Sequence, residues 1–108
     1  MIKRVSLVRR RPDLSRDDFV AYWLGPHAEI AREMPGAIAY MVNIARDPEV
    51  AGWDGFAEVW FESVEVAEAA FASEPFASRI RADRPKFVGE QVIFFVDEFA
   101  VIEPVTDG

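Results

Sequence analysis

The 108-residue chain has no cysteine and a single histidine, His27. Without cysteine there can be no disulfide, thiolate nucleophile, thiolate zinc site or iron–sulfur cluster. With one histidine, only carboxylates could complete a metal site, and no ligand spacing points to one. A Gly-rich phosphate loop, a dinucleotide fingerprint and a G-x-S-x-G nucleophile elbow are all missing, and haem ligation by His27 has no supporting motif. Neither metal nor cofactor is therefore expected. Positive charge is scarce as well: 12 Lys and Arg stand against 19 Asp and Glu, for a net charge of -7. Nucleic acid and anionic membrane are not expected partners. The one cationic run, Arg9-Arg10-Arg11, reads as a solvated strand end rather than an anion site. No stretch approaches the roughly 20 apolar residues of a membrane span. The opening "MIKRVSLVRRRP" lacks the apolar core and cleavage site of a secretory signal, so a cytoplasmic protein is expected.

Apolar residues are plentiful. They make up 51% of the chain, with nine Phe, three Trp and two Tyr. That is rich for one small domain, whose surface is large relative to its interior, and it calls for an interface or a pocket.

The pattern along the chain is β-α-β-β-α-β. "IKRVSLVRR" (Ile2–Arg10) reads as a strand, and Ser15 caps a helix whose apolar stripe is Phe19, Trp23, Ile30 and Met34. Pro35-Gly36 stops that helix. "AIAYMVNIA" and "GFAEVWFES" read as strands, separated by the turn-rich "RDPEVAGWDG". Ser63 caps "VEVAEAAFAS", Pro75 opens a further helical turn ending near Pro85, and Glu90–Glu103 reads as a long strand bulged near Asp97-Glu98. This order gives an α+β, ferredoxin-like subunit: a four-stranded antiparallel sheet with both helices on one face. Residues 1–104 form the single domain, and 105–108 a flexible tail. Since "VIFFV" is apolar on both faces and helices cover only one, the other face requires a second copy. A homodimer packed sheet against sheet is expected.

His27 lies in "YWLGPHAEIA". At about 100° per residue, Trp23, Ile30 and Met34 fall within about 60° of Phe19, and His27 at about 80°, on the sheet-facing flank. It is either a packed neutral imidazole or a general acid/base at the wall of a cavity between helix and sheet. Pro26 cannot donate to the carbonyl of Tyr22, which leaves an opening beside His27. Among other polar residues, Asn43 interrupts an apolar strand, and Tyr22 and Tyr40 are the only phenols. Trp23 and Trp60 are either plain core or the walls of an aromatic pocket. Glu58 and Glu62 read as rim residues in water, and Ser6 is undetermined in direction.

"RRRPDLSRDDFVAYWLGPHAEI" followed by "MPGAIAYMVN" resembles the EthD family, small members of the dimeric α/β-barrel superfamily. The resemblance rests on Pro12, Leu14-Ser15, Phe19, Tyr22-Trp23, His27-Ala28 and Pro35-Gly36; Glu29 departs from the proline that members often carry. It implies a ferredoxin-like subunit, sheet-to-sheet dimerisation and an apolar cavity between sheet and helices. Related dimeric barrels include cofactor-independent isomerases, polyketide cyclases, decarboxylases and monooxygenases, and haem-degrading proteins; where these relatives are acid/base catalysts, a cavity histidine is the usual worker. The expectation is thus a homodimer that binds a small apolar or aromatic metabolite. His27 is the catalytic candidate, Asn43, Tyr22 or Tyr40 would orient the polar end, and Trp23 and Trp60 would bound the ring. The alternative is a non-catalytic accessory or carrier protein with the same pocket.

Overall fold

The structure is a computed structural model and describes residues 1–104; the tail expected at 105–108 lies outside the described residues. Strand β1 (Ile2–Arg10) turns Ser6 and Val8 inward to burial, which settles the direction of Ser6. Ser15 Oγ accepts from the backbone N–H of Asp18 and starts α1 (Arg16–Tyr22). The next five residues, Trp23–His27, form a π turn, and α2 (Ala28–Ala31) completes the segment. A π turn pairs residue i with i+5, so the demand of the Tyr22 carbonyl passes beyond Pro26, which has no N–H to give. The expected single helix is therefore an α–π–α sequence, and its irregular turn ends on His27.

Gly36, at φ +77°, makes the turn into β2 (Ala39–Ile44). A Cβ there would also press on Val66. Inside the stretch read as turn lies a short helix, α3 (Pro48–Ala51), whose N-terminus is capped by Asp47 accepting from the N–H of Val50. β3 (Gly55–Phe61) alternates strictly, with Gly55, Ala57, Val59 and Phe61 buried. Ser63 caps α4 (Val64–Ala70), and α5 (Phe76–Asp83) runs into a 3-10 turn (Arg84–Lys86) and then β4 (Val88–Val96). The fourth strand thus starts before Glu90 and stops at Val96. Asp97 and Glu98 end it instead of bulging it, because Glu98 folds back to Lys3 and the Trp60 indole. The irregular register lies at the other end, between Arg9 and Arg10 of β1.

The sheet order is β2-β3-β1-β4, antiparallel throughout. With helices packed on one face this is the ferredoxin-like α+β fold. The covered face holds two apolar clusters. One joins Met34, Val59, Phe61, Ala67, Phe76 and Ile80; the other joins Val8, Phe19, Trp23, Ala57 and Phe87. Burying each large side chain contributes about 1.5–3 kcal/mol, so both clusters carry stability. A polar seam separates them.

The opposite face has no helix over it. Pairing in register puts Val5 and Leu7 beside Phe56, Val92, Phe94 and Met41 there. Phe56, Phe94 and Met41 are 37%, 42% and 53% exposed. Glu58 also lies on this face, but it is not a rim residue in water: Lys3 donates to it at 2.7 Å and Asn43 at 2.8 Å.

Candidate functional site

The polar seam surrounds a cavity of about 40 Å³, room for roughly three waters. β1 supplies Arg4, Ser6 and Val8; the π turn supplies Trp23 and His27; Tyr40 comes from β2, Arg84 and Phe87 from the 3-10 turn after α5 and its C-cap, and Gln91 from β4. Every layer of the fold thus contributes one wall.

His27 is buried, and its Nδ1 lies 2.8 Å from Asp83 Oδ2. The Tyr22 hydroxyl donates to the other carboxylate oxygen, Oδ1, at 2.5 Å, and Lys86 Nζ stands 3.7 Å from that oxygen. Phe87 packs against the imidazole with ring centroids 4.6 Å apart, fixing its plane. Burial holds the His27 imidazole below its ordinary value, with Asp83 acting in the opposite sense. Burial by itself would raise Asp83, but the bonds from Tyr22 and His27 outweigh it and hold the carboxyl low. Near neutral pH the pair is therefore neutral imidazole beside carboxylate. That arrangement keeps the proton on Nδ1 and leaves a lone pair on Nε2. Among the described residues no solvent-sealed side-chain nitrogen or oxygen lacks a partner, and Nε2 has none, so it opens onto accessible space. Burial and the bond to Asp83 push the Tyr22 phenol up to about 12, which keeps it a donor. Burial raises Tyr40 as well, against the pull of Trp23, Arg4 and Arg84.

The expected site residues divide between the two faces of the sheet. Tyr22, Trp23, His27 and Tyr40 come together at the seam. Asn43 and Trp60 do not: both project from the open face, where Asn43 donates to Glu58 and Trp60 to Glu98. Strand alternation decides this, since Asn43 and Trp60 pair in register with Phe56 and Ala39 of that face. The pocket walled by Trp23 and Trp60 therefore does not form, because the sheet lies between them. Trp23 is almost wholly buried core, its ring tilted against Phe19 with centroids 5.4 Å apart. Asp83 was missing from the expected set. Its spacing after Phe76 and Ile80, at i+7 and i+3, puts a carboxylate on the apolar stripe of α5, and that was the available signal.

Arg9, Arg10 and Arg11 stand outside the seam and are paired with Glu90, Asp54 and Asp13, as a solvated strand end should be. A larger hollow of about 470 Å³ runs beside Asn43, Val50, Trp53 and Phe56 on the open face. It holds neither histidine nor tyrosine.

Residues 11–91 match the EthD domain, three quarters of the sequence. The chain belongs to the EthD family. Its fold is shared with an EthD family protein from Bacillus halodurans at a TM-score of 0.77 and 19% identity, covering 92% of this chain and 99% of that one. A dimeric ferredoxin-like protein of unknown function from Thermobifida fusca superimposes at 0.70 with 13% identity and 88% coverage of each chain. A dimeric protein of unknown function and ferredoxin-like fold from Bacteroides fragilis superimposes at 0.67 with 12% identity, over 90% of this EthD chain and 95% of its own. No curated protein matches. At such identities the neighbours establish the fold of this EthD protein and leave its chemistry to its own residues. None of its helices, among the described residues, is long and apolar enough to cross a membrane.

Proposed function

We propose that this EthD protein is a homodimer that binds a small molecule at the polar seam. There His27, held by Asp83, moves a proton on the ligand without a cofactor. The observation that carries the reading is the His27 Nδ1–Asp83 contact of 2.8 Å with Nε2 left open beside the cavity. A neutral imidazole so held accepts a proton from a C–H or O–H of the ligand at Nε2 and returns it to another ligand atom. Nothing else is consumed, which suits isomerisation or cyclisation. Ser6 lines the same cavity but has no hydrogen bond to His27, which favours proton transfer over a serine nucleophile. The homodimer is supported by the uncovered apolar face and by the dimeric neighbours.

The test is proton exchange on ligands found by a thermal-shift metabolite screen. In D2O, the wild-type protein should catalyse deuterium incorporation into a bound carbonyl or phenolic compound. His27→Phe should bind that compound and leave it unlabelled. Ligands that bind with no exchange by the wild type would replace this reading with the carrier one.

A further inference from the structure

Two arginines line the same cavity, and both lack a counter-ion. Among the described residues, Arg4 and Arg84 make no side-chain hydrogen bond and no ion pair, although both are half-buried. The contrast within the chain is sharp. Arg9, Arg10, Arg11, Arg32, Arg79 and Arg81 all pair with carboxylates, Arg16 donates to the Ala45 carbonyl, and Arg46 stands exposed. In a protein with 19 acidic residues, leaving two half-buried arginines without one is costly.

Arg4 has one compensation. Its guanidinium carbon sits 4.1 Å over the Phe71 ring. That contact satisfies the face of the group and leaves its in-plane N–H donors unused. These donors are not sealed in, because no enclosed side-chain nitrogen goes without a partner among the described residues. They open onto space. Burial lowers Arg4 to about 10 and also lowers Arg84, so each cation is held in an environment that disfavours its charge. Tyr40 lies close enough to both arginines for their charges to act on its phenol, and Arg84 acts likewise on His27.

The space around the pair has a definite form. Arg4, Phe71, Ile80 and Arg84 line the inner cavity of about 40 Å³ and also an outer one of about 180 Å³. The arginines thus stand between two chambers. About 150 Å³ is enough for a benzene ring, so the outer chamber accommodates the body of a small molecule. The inner chamber has room for only a short polar group, and it is walled by Ser6, Tyr40 and His27.

We propose that Arg4 and Arg84 form a clamp for the carboxylate of a small organic acid, whose body occupies the outer chamber and whose polar end faces His27. The planar guanidinium fork matches a carboxylate, and the anion would cancel the repulsion between two partly buried cations. A phosphate is a poorer fit. The inner lining offers neither lysine nor helix N-terminus for its third oxygen, and the remaining walls are largely aromatic or aliphatic. The expectation of an apolar ligand is thereby narrowed to an acid with an apolar body. The clamp rests on the seam being a ligand site, and it does not require His27 to move a proton.

Calorimetric titration of the wild-type protein with benzoate and hexanoate, against benzamide, hexanamide and inorganic phosphate, tests the clamp. At least one acid should bind and its amide should not. Arg4→Gln and Arg84→Gln should each weaken the acid by on the order of tenfold or more. Arg79→Gln, an exposed arginine paired with Glu33 and lining neither chamber, should leave binding unchanged. His27→Phe should retain the acid, so a failed exchange experiment with intact acid binding would overturn the catalytic reading alone. Equal binding of acid and amide overturns the clamp, as does binding of phosphate only or of none of these compounds. Comparing acid with amide needs no variant, so the clamp stays open to refutation even if an arginine variant fails to fold.

Discussion

Asp83 Oδ2 lies 2.8 Å from His27 Nδ1, although 56 residues separate the two in the chain. This contact joins the end of α5 to the last residue of the π turn and closes one side of the cavity. Removing the carboxylate strands the imidazole N–H in a buried place. Asp83→Ala is expected to cost about 1–3 kcal/mol in urea denaturation, with Asp83→Asn costing less. A smaller loss in Asp83→Ala than in Asp83→Asn would show the contact to be incidental.

Stability should respond to acid through His27. Its folded value lies below the unfolded one of roughly 6.5, because burial opposes the charged ring. The unfolded chain therefore binds the extra proton. The His27 contribution is complete above about pH 6.5 and diminishes as pH falls from there toward the folded value. Asp83, whose folded value is also depressed, acts with the same sign at lower pH. The urea midpoint should drop between about pH 7 and pH 5, and His27→Gln should flatten that drop.

Tyr22 carries the opposite sign at the alkaline end. Its folded value of about 12 exceeds the model-compound value of 10.0, so its contribution holds below about pH 10 and is lost between about 10 and 12. Ultraviolet titration should find neither Tyr22 nor Tyr40 ionised at about pH 10 while the fold is intact. Tyr22→Phe should remove one of the two delayed transitions.

Gly55 is a position of close approach. A Cβ there would strike the backbone carbonyl of Asn43 and lie 3.0 Å from the Trp23 ring. Since Gly55 pairs with Ile44 at the end of β2, Gly55→Ala must push the two strands apart. A loss of about 2 kcal/mol or more is expected in denaturation, as for other overpacked sites. An unchanged midpoint would mean that this strand end yields freely.

The open face should govern assembly. Phe94 and Phe56 project from it, and Phe99, Val101 and Ile102 in the C-terminal segment are each more than four-fifths exposed. Phe94→Lys introduces a charge on the uncovered face, on edge strand β4 beside Val5. Light scattering should read a dimer for the wild type and a monomer for the variant, with the far-ultraviolet spectrum kept. A wild-type protein that scatters as a monomer would remove the dimer.

What could be read along the chain was whatever depends on local repetition. Alternation gave β1 and β3 and the helical stripe gave Phe19, Trp23 and Met34, because periodicity commits side chains to one face. Ser15 and Ser63 marked helix starts, and Pro26 marked the irregular turn beside His27. Strand alternation also held the answer to whether Asn43 and Trp60 reach His27, but only once register fixed which face was covered. The fourth strand misled beyond Val96, since "DEFAVI" continues the apolar composition while Glu98 is drawn aside by Lys3 and Trp60. Only the tertiary structure could bring Asp83 to His27, or leave Arg4 and Arg84 at one cavity without an acid. Charge pairing is a property of distance in space, and a sequence records the charges without recording which of them are left alone.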